Sequence, residues 1–237
     1  MRLSTNGRQA AGAAVRIYPD PGAIAWNYSR SETIADLTVH IIGLCFGIAA
    51  AAILLTLAAA HAAPTDLIAD STYAFGLVSA LTLSAFYNLW PVCPMKWWLR
   101  RFDQSAIYVL IAATYTVFVV DVNSGTATLA LIAVWCVTAL GIAAALALPG
   151  RLDRVSIGVY IAMGWSVVIL WISREVPIPF AAFRLLVAGG MFVTVGLIFH
   201  VWRELRFQIA IWHVFVLLGI GCQYAAVLSV VLSHTAM

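Results

Sequence analysis

Apolar residues run almost without interruption along this chain and are cut at intervals by short polar stretches. Read between those cuts they give seven segments, at about 34–60, 67–90, 104–121, 126–148, 155–173, 182–201 and 208–233. Each is close to the roughly 20 residues an α-helix needs to cross a bilayer. The strict twofold alternation of a membrane β-barrel strand is absent. All eight prolines, at 19, 21, 64, 91, 94, 149, 177 and 179, fall in the polar N-terminal stretch or at segment junctions. There a missing N–H costs little, whereas inside a span it would disrupt the helix. The pattern predicts an all-α integral membrane protein with a polar leader over 1–31 and one seven-transmembrane helix bundle over 32–237. Short connections make consecutive helices antiparallel neighbours. The leader is polar and broken by Tyr18-Pro19-Asp20-Pro21-Gly22, which does not read as a signal peptide.

Composition narrows the class further. Of 237 residues, 63% are hydrophobic and only 10% charged, where a soluble domain carries about a quarter charged. Soluble enzymes, disordered chains and disulfide-stapled secreted modules are excluded. A net charge of +3 is too small for a surface that tracks nucleic-acid phosphates. The four cysteines, Cys45, Cys93, Cys136 and Cys222, form no C-x-x-C pair and read as buried reduced thiols.

Charge placement sets the expected orientation. Arg2, Arg8, Arg16 and Arg30 lie in or beside the leader; Lys96, Arg100, Arg101, Arg151, Arg154, Arg203 and Arg206 fall in the second, fourth and sixth loops. Those 11 of 13 basic residues share one side, opposed only by Arg174 and Arg184. Since cytoplasmic loops hold the Lys/Arg excess, the N-terminus is expected inside and the C-terminus outside. Trp90, Trp97, Trp98, Trp202 and Trp212 crowd the same boundary as an expected aromatic belt. An inside N-terminus sets aside G-protein-coupled receptors. The lone lysine, Lys96 in a loop, sets aside a retinal Schiff base. Short loops, a short leader and 12 arginines against one lysine suit a bacterial inner membrane.

The scarce polar groups gather toward that inner end. Glu32, Asp36 and His40 form an i, i+4, i+8 ladder on one helical face. Ser84 and Asn88 share a face at the end of the second span, Asp103 opens the third, and His200 with Glu204 closes the sixth. His213 lies beyond Trp212 in an apolar seventh span, where an ionisable group is costly. Each member has a plain structural reading as well: a carboxylate at a helix N-terminus, a hydroxyl bonded to its own helix, a surface ion pair, a solvated boundary. Five helices converging on one end carry more weight than any single residue.

Taken in order, these stretches resemble the hemolysin III / PAQR family. Glu32-x-x-x-Asp36-x-x-x-His40-Ile-Ile-Gly43 is similar to its E-x-x-x-N-x-x-x-H-x-x-G opening, and Ser84-Ala-Phe-Tyr87-Asn88 to its S-x-x-Y-H motif. The stretch from Phe102-Asp103 to Thr114-Tyr115-Thr116, then Gly189-Gly190, then Trp212-His213 through Gly219 complete the set. The resemblance implies a seven-span bundle with a zinc site at its cytoplasmic end. That site is built from the S-x-x-Y-H histidine and an H-x-x-x-H pair in the seventh span, with a serine and an aspartate holding a metal-bound water. Some members are linked to hydrolysis of ceramide or other lipid amides. Ser84 and Asp103 match the water-holding pair, and His213 matches the later histidine of H-x-x-x-H. Asn88 and Ile209 replace the other two ligands, and Gln223 stands where a further histidine is often found.

A catalytic zinc normally has three protein ligands and an open position for water. An asparagine amide is a poor substitute for imidazole, and isoleucine offers no donor. The leading expectation is therefore a non-catalytic member that binds a membrane lipid or fatty acyl chain in membrane homeostasis or sensing, with no cofactor. Second is a zinc-dependent lipid-amide hydrolase with a remodelled site, using His213, Asp103 and either His40 or His200. Third is an accessory subunit of a larger membrane complex, for which the Gly43-x-x-x-Gly47 face would suit close helix packing.

Overall fold

The computed structural model describes residues 28–61, 63–148 and 151–235. Seven helices follow one another: α1 (Arg30–His61), α2 (Pro64–Leu89), α3 (Pro94–Val119), α4 (Gly125–Ala147), α5 (Asp153–Ile172), α6 (Phe180–Val201) and α7 (Gln208–Thr235). All seven are long and apolar enough to cross a membrane. The protein is a seven-helix, multi-pass membrane bundle.

Local chemistry explains where the helices begin. Ser29 and Glu32 form a reciprocal cap on α1: the Ser29 N–H donates to Glu32 Oε2 at 2.9 Å, and the Glu32 N–H donates to Ser29 Oγ at 3.4 Å. Proline occupies the first turn of both α2 and α3, where its absent N–H would have no intrahelical partner anyway. At α4 the Ser124 hydroxyl caps the Ala127 N–H.

The largest departure from the sequence boundaries is at α3, which begins at Pro94 rather than near 104. Met95 to Arg101 form its first two turns instead of a loop. Lys96 and Arg101 are accordingly buried, not free loop cations. The Lys96 ammonium donates to the carbonyls of Asn88 at 3.1 Å and Trp90 at 2.8 Å, so it caps the C-terminal end of α2. Trp97 packs in the interior, while Trp90, Trp98 and Trp202 are exposed as an interfacial belt requires.

Packing follows the logic of a protein in lipid. Leu129, Leu140, Ile169, Ile172 and Phe75 point outward, and small residues such as Ala69, Ala112, Ala113, Ala127, Ala182 and Ala226 lie within. α1 packs between α2 and α7, and α3 touches α2, α4, α5 and α7. α6 and α7 meet backbone to backbone. A Cβ added at Gly189 would lie 2.9 Å from the Gly219 carbonyl oxygen, and one at Gly219 would lie 3.0 Å from that of Gly189. Gly141 on α4 yields to the Tyr108 ring of α3, which a Cβ would meet at 2.4 Å. The Gly43 and Gly47 face is taken up inside the bundle, against Leu81 of α2 and Leu217 of α7.

The thiols correct an expectation. All four cysteines are free, but Cys45 and Cys136 lie on the bundle exterior and the other two are only half-buried. Thiols are weakly polar, so an outward position in an apolar span carries little cost.

Candidate functional site

The start of α1 presents Glu32, Asp36 and His40 on successive turns, and the first turns of α7 bring His213 against them. Asp36 Oδ1 lies 2.6 Å from His213 Nδ1, and Asp36 Oδ2 lies 3.5 Å from His40 Nε2. The two imidazole rings are 4.4 Å apart and tilted by 55°. One carboxylate thus sits between two histidines from two helices. Asp36 and His40 are each only 7% exposed. An ionised carboxylate only accepts, so the His213 Nδ1–H donates to Asp36. The ligand atoms of these three residues all lie within 4.8 Å of one another.

Glu32 stands one turn outside this group. Besides capping α1, its Oε1 accepts from the Phe207 N–H at 3.1 Å. Phe207 itself has φ of 61°, a left-handed conformation uncommon for a bulky residue. The captured N–H compensates for that geometry and ties the α6–α7 turn to the beginning of α1.

Ser84 and Asp103 interact across α2 and α3, side chain to side chain, as their matched motif positions suggest. Asn88 does not join the histidines. Its amide donates to the Ser84 carbonyl at 2.9 Å and lies 3.4 Å from the Ser84 hydroxyl, turned back along its own helix. His200 is a separate, half-buried residue whose ring leans on Trp212 at 5.0 Å. Glu204 is exposed in the turn after α6, where a carboxylate is best hydrated, and takes no part in the cluster.

The expected inner cluster therefore divides. Asp36, His40 and His213 come together; Ser84, Asp103 and Asn88 form a neighbouring polar group; Glu32 acts as a cap. The sequence reading missed that Asp36, and not Asp103, is the carboxylate partner of His213. Its one available signal was the four-residue spacing of Asp36 and His40, which places both on the face that α7 covers.

The donors at the positions corresponding to the family's zinc ligands do not fit that metal. Asn88 offers a neutral amide in place of an imidazole and its nitrogen donates to Ser84, Ile209 has no donor, and His213 alone of the three keeps a ligating ring. A narrow cleft lies elsewhere, between α3, α5, α6 and α7, lined by Thr114, Tyr115, Leu170, Gly190 and Gln223 among others. α5 is the least buried of the spans. It is joined to α3 by the Tyr115 and Ser166 hydroxyls and by Tyr160 Oη donating to the Gln104 carbonyl at 2.9 Å.

The family model "Haemolysin-III related" matches residues 28–224. The chain is 32% identical to the hemolysin-3 homolog of Bacillus subtilis (strain 168) over 202 residues, 85% of this chain and 95% of that protein. It is also 32% identical to hemolysin-3 of Bacillus cereus over 202 residues, 85% of this chain and 92% of that relative. No solved structure gives a significant match. With a family model covering the chain from before α1 into α7, and two relatives aligned over nearly their whole length, this seven-helix protein belongs to the haemolysin-III-related family.

Proposed function

We propose that this protein binds a membrane lipid or fatty acyl chain in membrane homeostasis or sensing, and does not hydrolyse lipid amides. The observation that carries this reading is Asn88. At the position where the family pattern has a zinc histidine it offers only a neutral amide, whose nitrogen donates to the Ser84 carbonyl. Without a metal at that position, the family's route to activating water for attack on an amide is lost. In this reading an acyl chain lies along the outer mouth of the narrow cleft beside the thinly buried α5, whose mainly apolar wall carries Thr114 and Gln223 as polar groups.

The same reading puts the N-terminus and the Asp36 end of the bundle on the cytoplasmic side of a bacterial plasma membrane. It also treats residues 1–31 as a leader to one transmembrane domain. Support comes from the 11 of 13 basic residues on that side.

Mass spectrometry of protein purified in mild detergent tests lipid binding, alongside turnover of a ceramide panel. Expected are a retained acyl lipid, its loss in Gly190→Leu, which fills the cleft wall, and no turnover. Hydrolysis that depends on His213 would overturn the proposal, as would a protein that retains no lipid. A zinc-dependent lipid-amide hydrolase is the second reading, favoured by three donors of Asp36, His40 and His213 lying within 4.8 Å. An accessory-subunit role gains nothing from Gly43 and Gly47, whose face is already covered inside the bundle.

A further inference from the structure

We infer that Asp36, His40 and His213 form a divalent transition-metal site that joins α1 to α7 and shares only His213 with the positions of the family's zinc. Three features of the group point to it. The donor set is two imidazoles and one carboxylate, which favours zinc, iron or cobalt over magnesium or calcium. The three donor atoms already converge within 4.8 Å. His40 Nε2 is buried with no hydrogen-bond partner, on a side chain only 6% exposed, and faces the Asp36 carboxylate.

The spacing between donors is informative. His40 Nε2 and Asp36 Oδ2 are 3.5 Å apart, too long for a good hydrogen bond. Two ligands on one tetrahedral ion, each bonded at roughly 2.0–2.1 Å, lie about 3.3–3.4 Å apart. The His40 pair therefore has nearly the separation of two ligands of one ion. The His213 pair, at 2.6 Å, is closed by a proton. Metal uptake through Nδ1 moves that proton to Nε2 of the same neutral ring, so His213 binds as its other tautomer with no net proton released, and the charge on Asp36 is neutralised by metal instead.

Position 36 is decisive, because the family's opening motif has asparagine there. A neutral amide would give a site of two neutral imidazoles and one neutral oxygen. The carboxylate supplies the anionic ligand that lets two histidines hold a divalent ion. The missing histidines at positions 88 and 209 and the presence of Asp36 are thus complementary: two donors are missing, one on α2 and one on α7, and two are present on α1 beside His213.

The test uses full-length protein in detergent, stripped with chelator and re-equilibrated with Zn(II) or Co(II). Expected are one ion per chain by elemental analysis and visible ligand-field bands with Co(II). Asp36→Asn and His40→Gln should each weaken binding by more than the roughly 10–100-fold typical of losing a supporting partner. Asn88→Ala should bind as the parent does. A monodisperse parent protein that takes up no metal would overturn the site. So would binding abolished by Asn88→Ala but kept by Asp36→Asn. If either ligand variant fails to fold, the metal stoichiometry and Co(II) bands of the parent still decide. This site stands apart from the lipid-binding reading: ceramide turnover would sink that reading alone, and absence of metal would sink only this one.

Discussion

Asp36 of α1 and His213 of α7 are joined by a 2.6 Å contact between Oδ1 and Nδ1, the shortest polar link between the first and last helices among the described residues. Removing the carboxylate leaves two buried imidazoles facing one another without an acceptor. In metal-stripped protein, Asp36→Ala should lower stability by about 1–3 kcal/mol, with Asp36→Asn losing less because its amide oxygen still accepts. Thermal unfolding in detergent, followed by circular dichroism, checks the order. Equal losses for the two variants would show that the acceptor is not what holds the pair.

Lys96 turns from an expected loop cation into a helix cap. Lys96→Ala deletes the donors to the Asn88 and Trp90 carbonyls and should cost about 1–2 kcal/mol. Lys96→Arg should recover part of it. Hydrogen exchange at the end of α2 would locate the loss; fraying spread evenly over the bundle would contradict a capping role.

Gly141 exists to make room for the Tyr108 ring. Gly141→Leu should destabilise by about 1–3 kcal/mol through overpacking. Combining it with Tyr108→Ala should return much of that, so the double-mutant cycle should be strongly non-additive. Simple additivity would mean the two helices separate there without regard to the ring.

The thiols offer a map of what faces lipid. Cys45 and Cys136 lie outward near the middle of α1 and α4, whereas Cys93 marks the beginning of α3. Only thiolates react readily, and thiolates need water. A membrane-impermeant charged thiol reagent should therefore label Cys93 and spare Cys45 and Cys136 until the bundle is dissolved in denaturing detergent. With the native cysteines replaced, Glu204→Cys should be labelled from the cytoplasmic side and Asn123→Cys from the opposite side. The reverse pattern would overturn the proposed orientation.

Much of the fold was legible because membrane helices must be long, apolar and punctuated by residues that stop them. The prolines at 64 and 94 sit in the first turns of α2 and α3, and the number of spans was clear. The start of α3 was not, because Lys96, Arg100 and Arg101 look like a loop when only polarity is counted. Lys96 and Arg101 are nonetheless buried: Lys96 meets the carbonyls at the end of α2 and the Arg101 guanidinium lies over the Trp98 ring, contacts that composition cannot display. At the site, the Asp36–His40 spacing was readable as one face of a helix. The meeting of that face with His213 depends on α1 and α7 being neighbours, and Asn88 bending back to Ser84 is a rotamer choice with no trace in composition.

Glu32 and Asp36 lie one helical turn apart, and each reaches across to the start of α7, one to the Phe207 N–H and the other to His213. Two clasps in parallel do not behave as independent bonds. While either stays shut, the other's broken ends remain at high effective concentration and close again quickly. Single substitutions are therefore buffered, and loss of both should cost more than the sum of the two. The seam between the first and last helices opens as a unit or stays closed.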